Sequence, residues 1–196
     1  DGSDASWVKE ESFSYKELRN RIEPWLTSLF QSEHLALLVG SGLTHAVHHL
    51  ATGQSAAGMD KLDLKTCQSE IDAAAKTSSE AASRGEDNLE DQLRVANELL
   101  RGLEILQDSE KAEALRTELE NGMKGFAESI LKSEAGIVTA EEPKREEALN
   151  TLVTFLMSFA SRTGGRDRLN IFTTNYDRLI EAGAELAGLH LLDRFL

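Results

Sequence analysis

The first periodic pattern in the chain is a set of apolar residues spaced three and four apart near the amino terminus. This spacing predicts an amphipathic helix with the apolar positions Leu18, Ile22, Trp25, Leu26, Leu29 and Phe30. Ser14, followed three residues later by Glu17, has the form of a capping box, so we expect the helix to begin just after Ser14. Pro24 is expected to kink or divide the helix, because proline lacks the amide hydrogen that an interior turn requires.

A continuous apolar run follows this helix. The stretch HLALLVG, ending at Gly40, has the length of a strand without polar alternation, which is typical of a strand buried on both faces of a parallel sheet. The next stretch, SGLTHAVHHLATG, predicts a turn that opens a short helix ending at Gly53. Much later, RLNIFTT predicts a second strand, and NYD at positions 175–177 leads directly into another helix.

Between the two predicted strands the pattern is helical, and residues 55–140 carry no strand pattern. Apolar residues again spaced three and four apart predict a helical hairpin, with Leu89, Leu93, Ala96, Leu100 and Leu103 in its first arm and Leu115, Leu119, Met123, Phe126 and Ile130 in its second. Ser109 is expected to cap the second arm. A further helix follows a break around Pro143, and TGGRD is expected to end it.

The order strand, helices, strand, helix predicts an α/β fold with a Rossmann-like parallel sheet, partial in this chain, and a large helical insertion over about residues 54–162. We expect residues 1–196 to belong to one domain that is incomplete at its carboxyl end. Ligands of open α/β sheets bind beyond the carboxyl ends of the strands. The GSG turn at 40–42 and NYD at 175–177 are both expected there.

Charge and composition narrow the range of partners. The chain carries 34 acidic and 21 basic residues, a formal net charge of −13, and such a field repels phosphate backbones, so we expect no direct nucleic-acid binding. No apolar run of about 18 residues and no signal-peptide pattern occurs, so we expect no membrane partner. Cys67 is the single cysteine, which indicates a reducing, cytoplasmic location, and we expect it to be an inert helix residue.

The glycine-containing turn is the first candidate for chemistry. Gly40, Ser41 and Gly42 follow a strand, where backbone amides can approach a phosphate and the helix N-terminus adds partial positive charge. A tight turn capped by Ser41 or Thr44 is the alternative. It stays open because His45 replaces the third small residue of the dinucleotide fingerprint and no Gly-Lys-Ser/Thr follows.

Three histidines follow the turn, and we expect them to bind no metal. His45 and His49 share a helix face with His48 beside them, but no carboxylate lies within the next turn, so the set of ligands is incomplete. A partly exposed, histidine-rich helix near the ligand is the preferred interpretation. His190 is expected to be structural.

Polar residues are concentrated where the second strand ends. Thr173, Thr174, Asn175 and Asp177 precede the last helix, but a helix cap needs only one of them. Capping therefore explains one residue, for which Asp177 is the natural choice, and the surplus favours a ligand site.

Taken together, LLVGSGLT and IFTTNYDRLIE resemble the sirtuin-like superfamily, in which a Gly-Ala/Ser-Gly turn follows the first strand and a Thr-x-Asn-x-Asp element follows a later one. The resemblance covers residues 33–53 and 168–195, and GEDNLEDQL looks like an acidic-amide segment of the same proteins. It is closer to bacterial sirtuin-like NAD⁺ hydrolases of antiphage defence, of the type associated with a HerA ATPase, than to deacetylases. One cysteine cannot supply the four-cysteine zinc module of deacetylases, and their Pro-Asp-Phe-Arg segment is missing.

The resemblance implies hydrolysis of the nicotinamide–ribose bond of NAD⁺ to nicotinamide and ADP-ribose, without a metal. It implies that one set of residues binds NAD⁺: Gly40, Ser41, Gly42, Thr44, Thr174 and Tyr176. Asn175 would hold the nicotinamide ribose and the attacking water, and Asp177 would contact the carboxamide or order the pocket. The expected catalytic histidine of a His-Gly element does not occur here and is predicted beyond Leu196.

The same resemblance implies an antiphage effector that acts by NAD⁺ depletion, or abortive infection. Homo-oligomerisation and a HerA-type ATPase partner are the implied interactions. The alternative is a non-catalytic module that senses NAD or ADP-ribose, or a structural module, within a larger defence complex.

Overall fold

The computed structural model describes residues 14–160 and 168–192, without the side chain of Tyr15. Its elements are α1 (Tyr15–Phe30), β1 (Ala36–Val39), α2 (Ser41–Thr52), α3 (Gln68–Ala81), α4 (Leu89–Ile105), α5 (Ser109–Val138), α6 (Glu142–Ala160), β2 (Asn170–Thr173) and α7 (Leu179–Leu186). This part of the chain is mostly helical with a small parallel sheet, which confirms the α/β class at that level. The TGGRD segment, predicted to end α6, lies outside the described residues. No described helix combines the length and apolarity needed to cross a membrane.

The first helix begins as its sequence predicts but is not divided. The Ser14 hydroxyl oxygen accepts a hydrogen bond from the Glu17 amide at 3.3 Å, and the Ser14 amide donates to the Glu17 carboxylate at 3.3 Å, which completes the capping box. Pro24 lies inside the continuous helix, so the expectation of a division is wrong. Because Pro24 is on an exposed part of α1, the carbonyl that loses its partner is accessible to water.

The predicted helical hairpin is present as α4 and α5, but its second arm has a different cap. Asp108 is the N-cap of α5 and accepts the Lys111 amide at 3.3 Å, whereas Ser109 is the first helical residue. The prediction of a Ser109 cap is therefore wrong. Gln107 has a φ of 60°, and this left-handed residue turns the chain early enough for the carboxylate of Asp108 to occupy the capping position.

The helices pack around two groups of buried residues. The first packs α3, α4 and the beginning of α5 around Leu64, Ile71, Ala75, Val95, Ala96, Leu103, Ala112, Leu115 and Leu119. The second packs α2, the end of α5, α6 and α7 around Val47, Ala51, Ile137, Ala148, Leu152, Leu156 and Leu179. Helix α5 therefore joins both groups, and α6, although inside the predicted insertion range of about 54–162, packs with the helices beside the sheet.

Cys67 does not lie within a helix as predicted. It is the N-cap of α3 and has a φ of 55°, a left-handed conformation that redirects the chain into the helix. The preceding turn is fixed from α5, because the Glu118 carboxylate accepts hydrogen bonds from the Lys65 amide at 2.8 Å and the Thr66 amide at 3.0 Å. The Thr66 hydroxyl adds a third at 2.9 Å.

The stabilisation that the Glu118 carboxylate provides is expected to depend on pH. Burial raises the pKa of Glu118, but hydrogen bonds from Thr66 and Lys65 outweigh it and leave the pKa below its ordinary 4.5. The stabilisation is therefore present above the unfolded pKa and is lost as the pH falls through the folded pKa. We expect Glu118→Ala to lower the free energy of unfolding by about 1.5–3 kcal/mol at neutral pH.

Urea unfolding at pH 7 and pH 3.5 measures this difference. Glu120→Ala, at an exposed position of the same helix, is the control and should leave the free energy of unfolding almost unchanged. A Glu118→Ala deficit of equal size at both pH values would contradict the assigned role of the charged carboxylate.

The sheet consists of β1 and β2 in parallel, with Ala36 paired to Asn170 and Val39 paired to Thr173. The parallel pairing confirms the prediction that both strands end at the same edge. Each strand was expected from a short β-branched or apolar run, and the helical segments between them form the crossover that parallel strands require.

One face of this sheet carries apolar side chains that the described residues leave uncovered. Leu37 and Val39 are buried, but Leu38 on the opposite face is 74% exposed. Its register neighbour Phe172 is 60% exposed. The expectation of burial on both faces is therefore wrong for this part of the chain, because its helices pack against only one face.

Candidate functional site

The two motifs predicted to meet do so at the carboxyl ends of β1 and β2. The Thr174 amide donates to the Val39 carbonyl at 3.3 Å and continues the strand pairing by one residue. A Cβ atom placed on Gly40 would lie 3.9 Å from the Thr174 Oγ1 atom. The GSG turn and the NYD segment are therefore direct neighbours in space.

Asn175 bridges the two motifs through its side-chain amide. Its Nδ2 atom donates to the Gly40 carbonyl oxygen at 3.1 Å and to the Thr44 Oγ1 atom at 3.0 Å. A carbonyl oxygen only accepts, so Nδ2 must face Gly40 and the orientation of the amide is fixed. In residues 14–160 and 168–192, the Asn175 Oδ1 atom accepts no hydrogen bond, which leaves an oriented acceptor at the strand ends.

Asp177 extends this network to the last helix. The Thr44 hydroxyl donates to Asp177 Oδ2 at 2.5 Å, because a carboxylate can only accept, and the Leu179 amide donates to Asp177 Oδ1 at 3.0 Å. Both carboxylate oxygens are thus engaged. Asp177 accepts the amide of the first residue of α7 from the position before Arg178, which is the N-cap of this helix. The expectation that Asp177 caps α7 is therefore wrong, and Asn175, which bonds to the GSG motif, does not cap this helix either.

Helix α2 begins with exposed backbone at this edge. Gly40 is its N-cap and provides no side-chain hydrogen bond, while Ser41 is the first helical residue. The Thr44 hydroxyl is directed to Asp177, so the alternative of a turn capped by Ser41 or Thr44 is wrong. A Cβ atom on Gly42 would meet nothing within 4 Å. Ser41 and Gly42 are exposed, so an anion can approach the positive end of the helix at these two residues.

Thr174 and Tyr176, both predicted to bind NAD⁺, occupy different surroundings. Thr174 is exposed beside Gly40, at the same edge as the turn. The Tyr176 hydroxyl donates to the Glu90 carboxylate at 2.8 Å, and its ring packs edge-on against Phe126 with centroids 5.6 Å apart. The hydrogen bond to Glu90, with some burial, raises the pKa of Tyr176. Tyr176 therefore contacts α4 and α5.

Arg178 makes a second contact, which is to α5. Its backbone amide donates to the Glu134 carboxylate at 2.8 Å, and its guanidinium Nη2 atom donates to the other carboxylate oxygen at 2.9 Å. Pairing with Arg178 holds the pKa of Glu134 below its usual range. The ion pair between Arg178 and Glu134 thus fixes the residue after the NYD segment to α5.

The histidines of α2 do not form a common site. His48 is buried, and its Nδ1 atom lies 3.0 Å from the Gln54 carbonyl, to which it donates. His45 is partly exposed and His49 is exposed, so α2 is the partly exposed, histidine-rich helix that the sequence predicts. The described ranges contain no group of three histidine, cysteine or carboxylate side chains placed to hold a metal. His190 is exposed after α7.

Three residues at the site were not expected from the sequence. Glu90 and Glu134 occupy helical positions whose charge predicts only a solvated face, and Phe126 was assigned to the hairpin core. The one available signal was the acidic segment GEDNLEDQL, which contains Glu90. In the structure its Asn88 caps α4 by accepting the Glu90 and Asp91 amides at 2.9 and 3.2 Å.

A separate groove in the described part of the chain lies along α1. It has a volume of about 460 Å³ and is lined by Leu18, Arg19, Ile22, Glu23, Leu26, Thr27 and Phe30. Among its polar groups, Arg19 pairs with Glu23 and Thr27 donates to the Glu23 carbonyl. Convergent polar groups therefore favour the strand ends over this groove as the candidate site.

Comparison with protein-family models, curated proteins and solved structures finds no match to this chain. The functional assignment accordingly depends on the residues and geometry at the strand ends.

Proposed function

We propose that this chain is the NAD⁺-binding part of a sirtuin-like NAD⁺ hydrolase with a Rossmann-like sheet. The proposal is supported by the parallel pairing of β1 and β2 and by the contact between the GSG turn and the NYD segment across their carboxyl ends. This is the edge at which open α/β sheets bind nucleotides. The motif residues resemble those of sirtuin-like proteins in the same order.

The observation that carries the proposal is the fixed amide of Asn175. Its two donor hydrogens are bound by Gly40 and Thr44, which points Oδ1 away from both. An oriented acceptor of this kind can receive a hydrogen bond from a ribose hydroxyl or from a water molecule. A residue that served only as a cap would have no reason to bridge the two strand ends.

The surrounding groups fit the parts of NAD⁺. The exposed amides of Ser41 and Gly42 at the start of α2 suit the pyrophosphate, and the open space beside Gly42 admits it. Asp177, with both oxygens bound, orders the pocket through Thr44 and Leu179. Cleavage of the nicotinamide–ribose bond releases neutral nicotinamide from a cationic pyridinium, so the residues need to orient the ribose and water, and no acid has to protonate the leaving group.

In this role the protein would act by NAD⁺ depletion in antiphage defence, as a homo-oligomer with a HerA-type ATPase. The catalytic test is incubation of the full-length protein, alone and with such an ATPase, with NAD⁺. Chromatography should detect nicotinamide and ADP-ribose in equal amounts. NAD⁺ that remains intact under both conditions would refute the catalytic proposal.

A second candidate is a module that binds NAD or ADP-ribose without cleaving it. The full engagement of Asp177 favours this candidate, because a carboxylate bound at both oxygens is poorly placed to accept a proton from water. Calorimetric binding of NAD⁺ without nicotinamide release would select it.

A further inference from the structure

The segment that carries Asn175 and Asp177 is held from two sides. Asn175 and Asp177 bond to the GSG turn and α2, whereas the alternating residues Tyr176 and Arg178 bond to the insertion. Every second side chain thus faces the candidate site, and the others face α4 and α5. The position of the site residues is coupled to the position of these helices.

Of the two contacts that hold the segment to α4 and α5, the one made by Glu134 is the stronger. Its carboxylate accepts both the Arg178 backbone amide and the guanidinium group, and its side chain is 16% exposed. A charge-assisted, two-pronged contact that includes a backbone amide fixes main-chain position, unlike an ion pair between two mobile side chains. The Arg178 side chain itself is 75% exposed, so the anchoring depends mainly on Glu134.

The second contact acts two residues before Arg178. Tyr176 donates to Glu90 in the first turn of α4, and its ring rests on Phe126 of α5. Between these anchors lies Asp177, whose two oxygens tie α7 to Thr44. Displacement of α5 would therefore move Arg178 and Asp177 together and alter the hydrogen bond that Thr44 shares with Asn175.

We propose that Glu134 is a positioning residue that holds the segment 175–178 in its functional geometry, and that α5 acts on the site through it. The inference rests on the proposed NAD⁺ hydrolase function. It deepens that function by naming the contact through which the insertion controls the site. Removal of the contact loosens the segment and misplaces the Asn175 acceptor.

The test compares Glu134→Ala and Glu134→Gln in the full-length protein with Glu128→Ala, a control at an exposed position of the same helix. Hydrogen–deuterium exchange of the peptide covering 173–180 measures positioning without any need for activity. Steady-state kinetics with NAD⁺ measure kcat and KM separately. For Glu134→Ala we expect at least about fivefold faster exchange and a kcat about tenfold lower, with KM changed less than threefold.

Glu134→Gln should recover part of both effects, because an amide oxygen still accepts the Arg178 amide. Unchanged exchange in Glu134→Ala relative to Glu128→Ala would overturn the proposal, and so would faster exchange with wild-type kcat. If the wild-type protein releases no nicotinamide, the hydrolase function fails by itself. Positioning is then judged by exchange together with calorimetric NAD⁺ binding, which Glu134→Ala should weaken and Glu128→Ala should not; equal binding by the two variants would overturn it.

Discussion

Replacement of Asn175 by alanine is expected to lower NAD⁺ hydrolysis by the full-length protein about 10²- to 10³-fold, the loss found when one preorganised polar group is removed from an active site. The substitution deletes the oriented Oδ1 acceptor and the bonds to Gly40 and Thr44. Kinetics with NAD⁺ under activating conditions measure the effect. Because the acceptor is assigned to the reacting ribose and water, kcat should fall more than KM rises.

The fold should survive this substitution. Asn175 is only partly buried, and two hydrogen bonds at about 1 kcal/mol each correspond to a small decrease in the melting temperature. Asn150→Ala, at an exposed position of α6, is the matched control and should retain full activity and stability. Wild-type turnover by Asn175→Ala would eliminate the assigned role of the residue.

Substitution of Gly183 by valine is expected to destabilise the fold through a clash in the core. Gly183 is in α7, and an added Cβ atom would lie 2.7 Å from Leu156 Cδ1 and 2.9 Å from Leu152 Cγ. Both leucines are 1% exposed, so neither can move into solvent. Overpacking of this kind costs about 1–3 kcal/mol, which lowers the melting temperature by roughly 2–4 °C for each kcal/mol in a chain of this size.

The control for this prediction is Gly125→Val in α5, where an added Cβ atom meets nothing within 4 Å. The same substitution there should change the free energy of unfolding by less than about 0.5 kcal/mol. Equal melting temperatures for the two variants would show that α7 does not pack on α6 as described. A double variant with Leu156→Ala should lose less stability than the sum of the single changes, because it removes one of the clashing side chains.

Much of the fold could be predicted from local patterns. The apolar spacing of α4 and α5 and the capping box at Ser14 specify elements through neighbours three or four residues apart, and the structure confirms them. The left-handed residues Gln107 and Cys67 were not predicted. Neither is a glycine, so their conformations depend on tertiary contacts such as the one that Glu118 makes to the turn before α3.

The candidate site was likewise predictable only in part. A strand that ends in Asn-Tyr-Asp and another that ends in Gly-Ser-Gly predict two groups at one sheet edge, because parallel strands place their carboxyl ends together. The N-cap of α7 was not predicted, because Arg178 occupies it and Asp177 lies one residue earlier. The contacts of Tyr176 and Arg178 with Glu90 and Glu134 do not follow, since they join distant helices through polar positions that have no periodic signature.

The pairing of Asn175 with Gly40 also has a consequence for the order of folding, because the two residues are 135 positions apart in the chain. Closing so long a loop in an unfolded chain costs entropy before any contact compensates for it. The buried group shared by α3, α4 and α5 can form first from contacts closer in sequence and shorten the effective loop. The edge at which the two strands end is then expected to be the last part of the described chain to assemble and, in the reverse direction, the first to open.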